Sequence, residues 1–344
     1  MKTTDMLAYL KNYSGEPIRI MEVCGTHTSA IAKSGIRSLL PPNIELLSGP
    51  GCPVCVTPAG YIDTLRTLAL RDGCTIISFG DMLRVPGSDG SLSDARGQGG
   101  DIRMVYSPFD ALKLAENEPE KSFVFAAVGF ETIAPVYALL IEQAAERNVS
   151  NLRLLCALKT MPEVLKMMCK ENIDAFIAPG HVAAICGADA FLSLAREYGK
   201  PFCVAGFGDE DVIAAICDLV IQHERGTAEV HNLYSSVVLP EGNITALSAV
   251  GRVFEKGDAV WRGLGNVAHS SLYLKDAFCA FDAGSFLYPD NNATACRCGD
   301  VICGRITPNK CPMFGKTCTP QTPKGPCMVS SEGACGVWYA NNII

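Results

Sequence analysis

Basic charge is scarce in this chain: 29 Lys and Arg stand against 36 Asp and Glu, a net charge of −7. A nucleic-acid scaffold is excluded by that balance, because phosphate binding needs a basic face. Long apolar runs are missing as well. The most apolar stretch, residues 176–194, is broken by Pro179, Gly180, His181 and Asp189, so it does not read as a membrane span. Neither an apolar core nor a small-residue cleavage site follows Met1-Lys2-Thr3-Thr4-Asp5, and no signal peptide is expected. Several catalytic signatures are also absent. No G-x-G-x-x-G follows a strand pattern, and Gly315-Lys316-Thr317 has Lys310 where a P-loop needs its upstream glycine. Neither H-E-x-x-H nor G-x-S-x-G occurs, so nucleotide hydrolysis and zinc proteolysis lack support.

What the chain does have is cysteine, 17 in 344 residues, with 48% apolar and 19% charged residues overall. That composition makes a globular chain, and the length suits two or three domains. Seven of the cysteines (Cys296, Cys298, Cys303, Cys311, Cys318, Cys327 and Cys335) fall in one 40-residue window. An odd total in a long, apolar-rich chain does not fit a disulfide-stapled secreted domain. A reducing cytoplasm is expected, where clustered thiols mean metal or redox chemistry.

Residues 1–235 alternate short apolar runs with amphipathic ones, the pattern of α/β units on parallel sheets. Strands are predicted at 18–23, 44–47, 75–79, 102–106, 123–128, 152–158, 175–178 and 202–205. Helices are predicted at 30–40, 61–70, 108–116, 136–147 and 212–224. The polar, Pro-containing break at 116–121 (ENEPEK) divides the eight strands into two consecutive sets of four. From 235 to 290 Gly and Pro recur at short intervals with little clean helix, and a loop-rich, thiol-rich tail follows. Such a tail needs a covalent or metal staple in place of an apolar core.

The strands lead into the chemistry. Cys24-Gly25, Gly49-Pro50-Gly51-Cys52, Gly80-Asp81, Gly129-Phe130-Glu131 and Pro179-Gly180-His181 all follow strands, where open α/β sheets bind ligands. Cys24 and His27 suit a thiolate–imidazolium pair or two ligands to a soft metal; a buried Cys beside a capping His is the plain alternative. Cys52-Pro53-Val54-Cys55 precedes the helix expected near Pro58, whose N-terminus would lower a thiol pKa for redox work or metal ligation. In the tail, Cys296, Cys311, Cys318 and Cys335 are spaced x14, x6 and x16, with Cys298 and Cys327 interleaved and Cys303 extra. Four thiolates hold zinc or an iron-sulfur cluster, and the absence of a C-x2-C pair from the tail favours iron-sulfur. Cys74, Cys156, Cys169, Cys186, Cys203, Cys217 and Cys279 read as core residues. Asp81 and Glu131 orient ligands or cap the following turn, and His181 is a cleft candidate.

Several motifs carry a family resemblance. These are 21–28 (MEVCGTHT), 49–58 (GPGCPVCVTP), 79–87 (FGDMLRVPG), 311–316 (CPMFGK) and 325–335 (GPCMVSSEGAC). Together they closely resemble HypD, the maturation factor family of [NiFe] hydrogenases, from about residue 14 onward. The resemblance implies two Rossmann-like α/β domains, 14–118 and 119–235, and a [4Fe-4S] domain, 236–344, with residues 1–13 packing on it. It implies a monomer that pairs with a HypC-type chaperone and receives cyanide from a HypE-type donor. The product is an Fe(CN)2CO unit for the hydrogenase large subunit. Carried over residue by residue, Cys24 is the principal iron ligand with His27 beside it, and Cys52 and Cys55 are a redox-active or iron-binding pair. Cys296, Cys311, Cys318 and Cys335 become cluster ligands, and Cys298 with Cys327 a dithiol pair, similar to ferredoxin-thioredoxin reductase. A cluster gives electrons singly and a dithiol in pairs, so these thiols are expected to relay reductant for cyanide release. The chain also departs from the family pattern. Ser29 stands where the family commonly has a second histidine, Ile133 replaces a threonine, and the second domain carries Gly208-Asp209 and His231 in place of family residues.

Overall fold

The computed structural model describes residues 2–290 and 295–343. Residues 1, 291–294 and 344, which fall in the expected 1–13 and 236–344 segments, lie outside that description. The strands in chain order are β1 (Ile18–Glu22), β2 (Ile44–Ser48), β3 (Thr75–Ser78), β4 (Ile102–Met104), β5 (Phe123–Gly129), β6 (Leu152–Lys159), β7 (Ala175–Ala178), β8 (Phe202–Val204), β9 (Val230–Asn232), β10 (Phe254–Trp261) and β11 (Gly265–Leu274). The eight strands expected from the pattern are all present. Continuous apolar runs such as Phe123–Gly129, buried at every position, suit strands covered on both faces.

Two parallel-dominated sheets form, as the α/β reading required. One is all parallel, in the order β2-β1-β7-β8-β9; the other runs β10-β11-β6-β5-β3-β4. The expected division at 116–121 does not hold. β3 to β6 form an insertion between β2 and β7, so each sheet draws strands from both 14–118 and 119–235. ENEPEK is the turn that returns the chain from helix Pro108–Asn117 to β5 of the same sheet. Strand patterns name strands but not neighbours. Order is set by where the crossover helices pack, and here β1 pairs Ile20 with Leu46 on one side and Ala175 on the other.

In both sheets the parallel strands follow one order, with the first strand between the second and third. That arrangement puts β1 at the switch point of one sheet and β3 at that of the other, where ligand crevices open. A large apolar core containing Met21, Leu47, Ile76, Val124 and Phe176 lies between the two sheets and the thiol-rich tail. Each sheet has a second core under its outer helices. Residues 2–13 belong to one of these and not to the tail. Leu10 and Tyr13 pack with Ile216 and Val220 of helix Asp209–Arg225, because their apolar side chains complete that helix's buried face.

Among the elements that were not expected are β9 and, beyond it, a helix and a hairpin. Helix Ile244–Val253 and the antiparallel hairpin β10–β11 occupy the segment whose glycines signalled irregular chain. Gly263 and Gly265, with φ of 76° and 83°, supply the left-handed backbone of the hairpin's turn. The hairpin joins β6 antiparallel through Leu272 opposite Leu158. Among the described residues no helix is long and apolar enough to cross a membrane.

Candidate functional site

Cys24 caps the N-terminus of helix Gly25–Ser34 directly after β1. Its thiol is buried, and desolvation pushes it up to about 11, although the N–H groups of Thr26 and His27 partly offset this. Beneath it lies Glu22, also buried. Thr28 Oγ1 donates to Glu22 Oε1 at 2.5 Å, and the Cys24 N–H donates to Glu22 Oε2 at 3.3 Å. Burial raises this carboxyl to about 8, so it holds its proton at neutral pH.

His27 is fully buried, and burial lowers its pKa to about 4. Its Nε2 lies 2.8 Å from the Gly206 carbonyl oxygen. A carbonyl only accepts, so Nε2 carries the proton and Nδ1 presents a lone pair, which has no partner in the fold. A neutral imidazole committed in this way does not form the thiolate–imidazolium pair considered from the sequence. Nδ1 is instead open to a metal or a donor. Phe207 packs against the His27 ring at 4.7 Å and against His181 at 4.1 Å, which ties the segment after β7 to the same locality.

The 49–55 loop lies on Cys24. The Gly25 N–H donates to the Gly51 carbonyl at 3.2 Å, and a Cβ on Gly51 would fall 2.5 Å from Cys24 Cα. Only glycine permits that approach. Cys52 and Cys55 are joined as a disulfide with Cα atoms 5.3 Å apart. The next helix, Ala59–Leu70, begins four residues past Cys55, too far for its first-turn amides to reach the thiols as expected. Local bonding takes their place, with the Cys55 N–H donating to Cys52 Sγ at 3.2 Å.

The tail closes the site from the other side. Thr26 Oγ1 donates to Glu332 Oε1 at 2.8 Å, and a Cβ on Gly25 would meet Glu332 Cβ at 2.5 Å. Ser330 Oγ donates to Asp81 Oδ2 at 3.2 Å, so the turn after β3 reaches the same tail segment. Glu22, Thr28 and Glu332 were not singled out from the sequence. The two carboxyl groups sit inside the recognised motifs, but only their burial and partners mark them.

Cys296, Cys298, Cys311, Cys318, Cys327 and Cys335 line one pocket, otherwise walled mainly by apolar side chains that include Val301, Met313, Phe314 and Met328. All four expected cluster thiols and the interleaved pair are therefore together, while Cys303 is buried outside this lining. The donor set suits an iron-sulfur cluster: soft thiols in a low-dielectric wall, with the Lys324 N–H donating to Cys318 Sγ at 3.3 Å. Gly325 packs on Cys296 Sγ, where no Cβ would fit. Among the described residues no three Cys, His, Asp or Glu side chains already converge as a metal cage. Cys296, Cys298, Cys327 and Cys335 instead lie side by side in the lining as free thiols. Cys74, Cys156, Cys169, Cys203 and Cys217 are buried as expected, but Cys186 is only partly so and Cys279 is exposed on a short turn. The Cys279 assignment to the core is corrected: residues 276–281 form a surface 3-10 segment with no buried side chain.

Fold and site together define a thiol-rich α/β protein whose motif cysteines gather at the switch point of one parallel sheet and in an adjoining tail pocket. Residues 2–342 match the family model described as "HypD: Hydrogenase formation hypA family". The hydrogenase maturation factor HypD of Escherichia coli (strain K12) is 44% identical over 337 residues, covering 95% of this chain and 90% of that protein. Those of Azotobacter vinelandii and Cupriavidus necator are each 42% identical, covering 94% and 95% of this chain and 89% and 90% of their own lengths. The chain belongs to the HypD family of hydrogenase maturation factors.

Proposed function

We propose that this chain is the scaffold on which an iron ion, as cargo, acquires two cyanide ligands and one carbon monoxide before transfer to a [NiFe] hydrogenase large subunit. It works in the cytoplasm as a monomer joined to a HypC-type chaperone, and takes cyanide from a HypE-type donor. Cys24 is the principal iron ligand, with His27 beside it and Cys52 and Cys55 as the redox or iron-binding pair. The observation that supports this reading is the 49–55 loop lying on the Cys24 backbone, with the Cys52–Cys55 disulfide in that same loop.

The chemistry follows from the couple. A carrier thiocyanate, R–S–CN, and the two thiols of Cys52 and Cys55 give R–SH, CN⁻, H⁺ and the Cys52–Cys55 disulfide. The disulfide present in the structure is the oxidised end of that couple. Cys296, Cys311, Cys318 and Cys335 would hold a [4Fe-4S] cluster, which supplies electrons one at a time when bound. Cys298 and Cys327, which line the same pocket, are the dithiol beside it.

Infrared spectroscopy of the anaerobically purified complex with the chaperone tests the reading. Bands from iron-bound CN and CO are expected in the wild type and lost in Cys24→Ala, with loss of hydrogenase maturation. Bands that survive in Cys24→Ala would overturn the role of Cys24. The Cys52–Cys55 disulfide also favours a second reading, an iron-sulfur dithiol–disulfide oxidoreductase of the ferredoxin-thioredoxin reductase type. That reading predicts reduction of a protein disulfide with no CN or CO bands at all.

A further inference from the structure

A second buried carboxyl lies away from the cysteines. Glu131 follows β5, and its Oε1 accepts the Met161 N–H at 2.7 Å, capping helix Met161–Met168 in place of Thr160, whose side chain makes no cap bond. The other oxygen, Oε2, is buried and has no partner. An ionisable group left in this state loses the hydration of one oxygen with nothing in return, which helix capping alone does not explain.

Glu131 lines a cavity of about 320 Å³ that shares no residue with the Cys24 site or the thiol pocket. One wall, Ile185 and Cys186, comes from helix Gly180–Cys186 beside the all-parallel sheet. The opposite walls, Leu247, Val250 and Leu272, come from helix Ile244–Val253 and β11 of the other sheet. The lining is chiefly apolar, and the volume sits at the lower end of the range for small-molecule sites, roughly 300–1,000 Å³. Its charged side chains are Glu131 and Lys256, the latter 3.9 Å from Glu163 at the rim.

We propose that this cavity is a binding site for a small, mostly apolar, uncharged molecule ending in an amide, held through Glu131 Oε2 and shared between the two sheet units. An amide both gives and takes a hydrogen bond, so it pairs with Oε2 whether the carboxyl is ionised or protonated. Burial brings that carboxyl to about 7, where both forms are present at neutral pH. An ammonium ligand meets Lys256 in the wall, and a carboxylate ligand meets Glu131 itself.

The probe is benzamide, titrated into the anaerobically purified full chain by calorimetry and followed by the Met161 amide resonance. Saturable binding with Kd on the order of 1 mM is expected, as befits a fragment of this size. Benzylamine and benzoate should bind at least about tenfold more weakly. Ala190→Leu, which takes up cavity volume and leaves the Glu131 side chain unchanged in type, should weaken benzamide by about tenfold or more. Glu131→Gln keeps an oxygen for Met161 and a neutral polar group for the amide, and should hold benzamide within about threefold of wild type. Absence of saturation, an unmoved Met161 resonance, or tighter binding of benzylamine would overturn the proposal. So would equal binding by a folded Ala190→Leu variant. Should that variant fail to fold, the Met161 resonance of the wild type decides.

Discussion

Glu131 and Lys159 are both buried, and burial displaces their protons in opposite senses. Glu131 is raised to about 7 from an ordinary 4.5, so between those values the folded chain keeps a proton that the unfolded chain has lost. Its contribution to stability therefore falls as pH rises through that window. Lys159, whose Nζ donates to the Val260 carbonyl at 3.0 Å, is lowered by burial to about 7 from 10.5. There the unfolded chain holds the extra proton, and stability rises with pH from 7 to 10.5. Glu131→Gln is expected to flatten the acid-side slope alone and Lys159→Met the alkaline one, each by on the order of 2 kcal/mol. Denaturant unfolding at about pH 5, 7 and 9 reads both. The cysteines of the site were legible because their residue type and spacing are themselves the chemistry. Glu22 and Glu332 were not legible as site residues, because a carboxyl declares its role only through what surrounds it.

The 49–58 loop shows what one element contributes. It carries the chain from β2 of one sheet to helix Ala59–Leu70 beneath the other, and on the way lays Gly51 against Cys24. Gly51→Ala would force backbone against backbone, and a loss of roughly 2–4 kcal/mol is expected with loss of the iron-bound CN and CO bands. Gly97 offers the contrast: it ends helix Leu92–Gly97 with open space around the added methyl, so Gly97→Ala should be neutral or stabilising by about 0.5–1 kcal/mol. Thermal melts of the two variants against wild type check the pair. Elements themselves were largely readable, with strand limits within a residue or two of the pattern. The hairpin β10–β11 escaped because its mixed burial breaks the alternation and its glycines mimic irregular chain.

The molecule as a whole is built by insertion, and this governs how it can be divided. Fragment 1–118 contains β1 to β4 and fragment 119–235 contains β5 to β9, so neither holds a complete sheet. Neither is expected to fold alone. Circular dichroism and limited proteolysis should show no cooperative melt and rapid digestion for each, and a cooperative transition in either would refute the interleaved order. The tail extends the same logic, since Glu332 and Ser330 bind Thr26 and Asp81 from the two sheets and make the site a joint product of all three parts.

By itself the sequence determined which motifs carry the thiols, that Cys24 and Cys52 follow strands, that the chain is α/β, and where most strands begin and end. Those properties rest on residue type and on spacings of a few positions, which local sterics and periodicity fix. Tertiary structure alone decided the strand order, the placement of residues 2–13, the contact of Gly51 with Cys24 and the solitary Oε2 of Glu131. These depend on residues tens to hundreds of positions apart, whose meeting is set by how crossover helices pack on the sheets and not by any pattern along the chain.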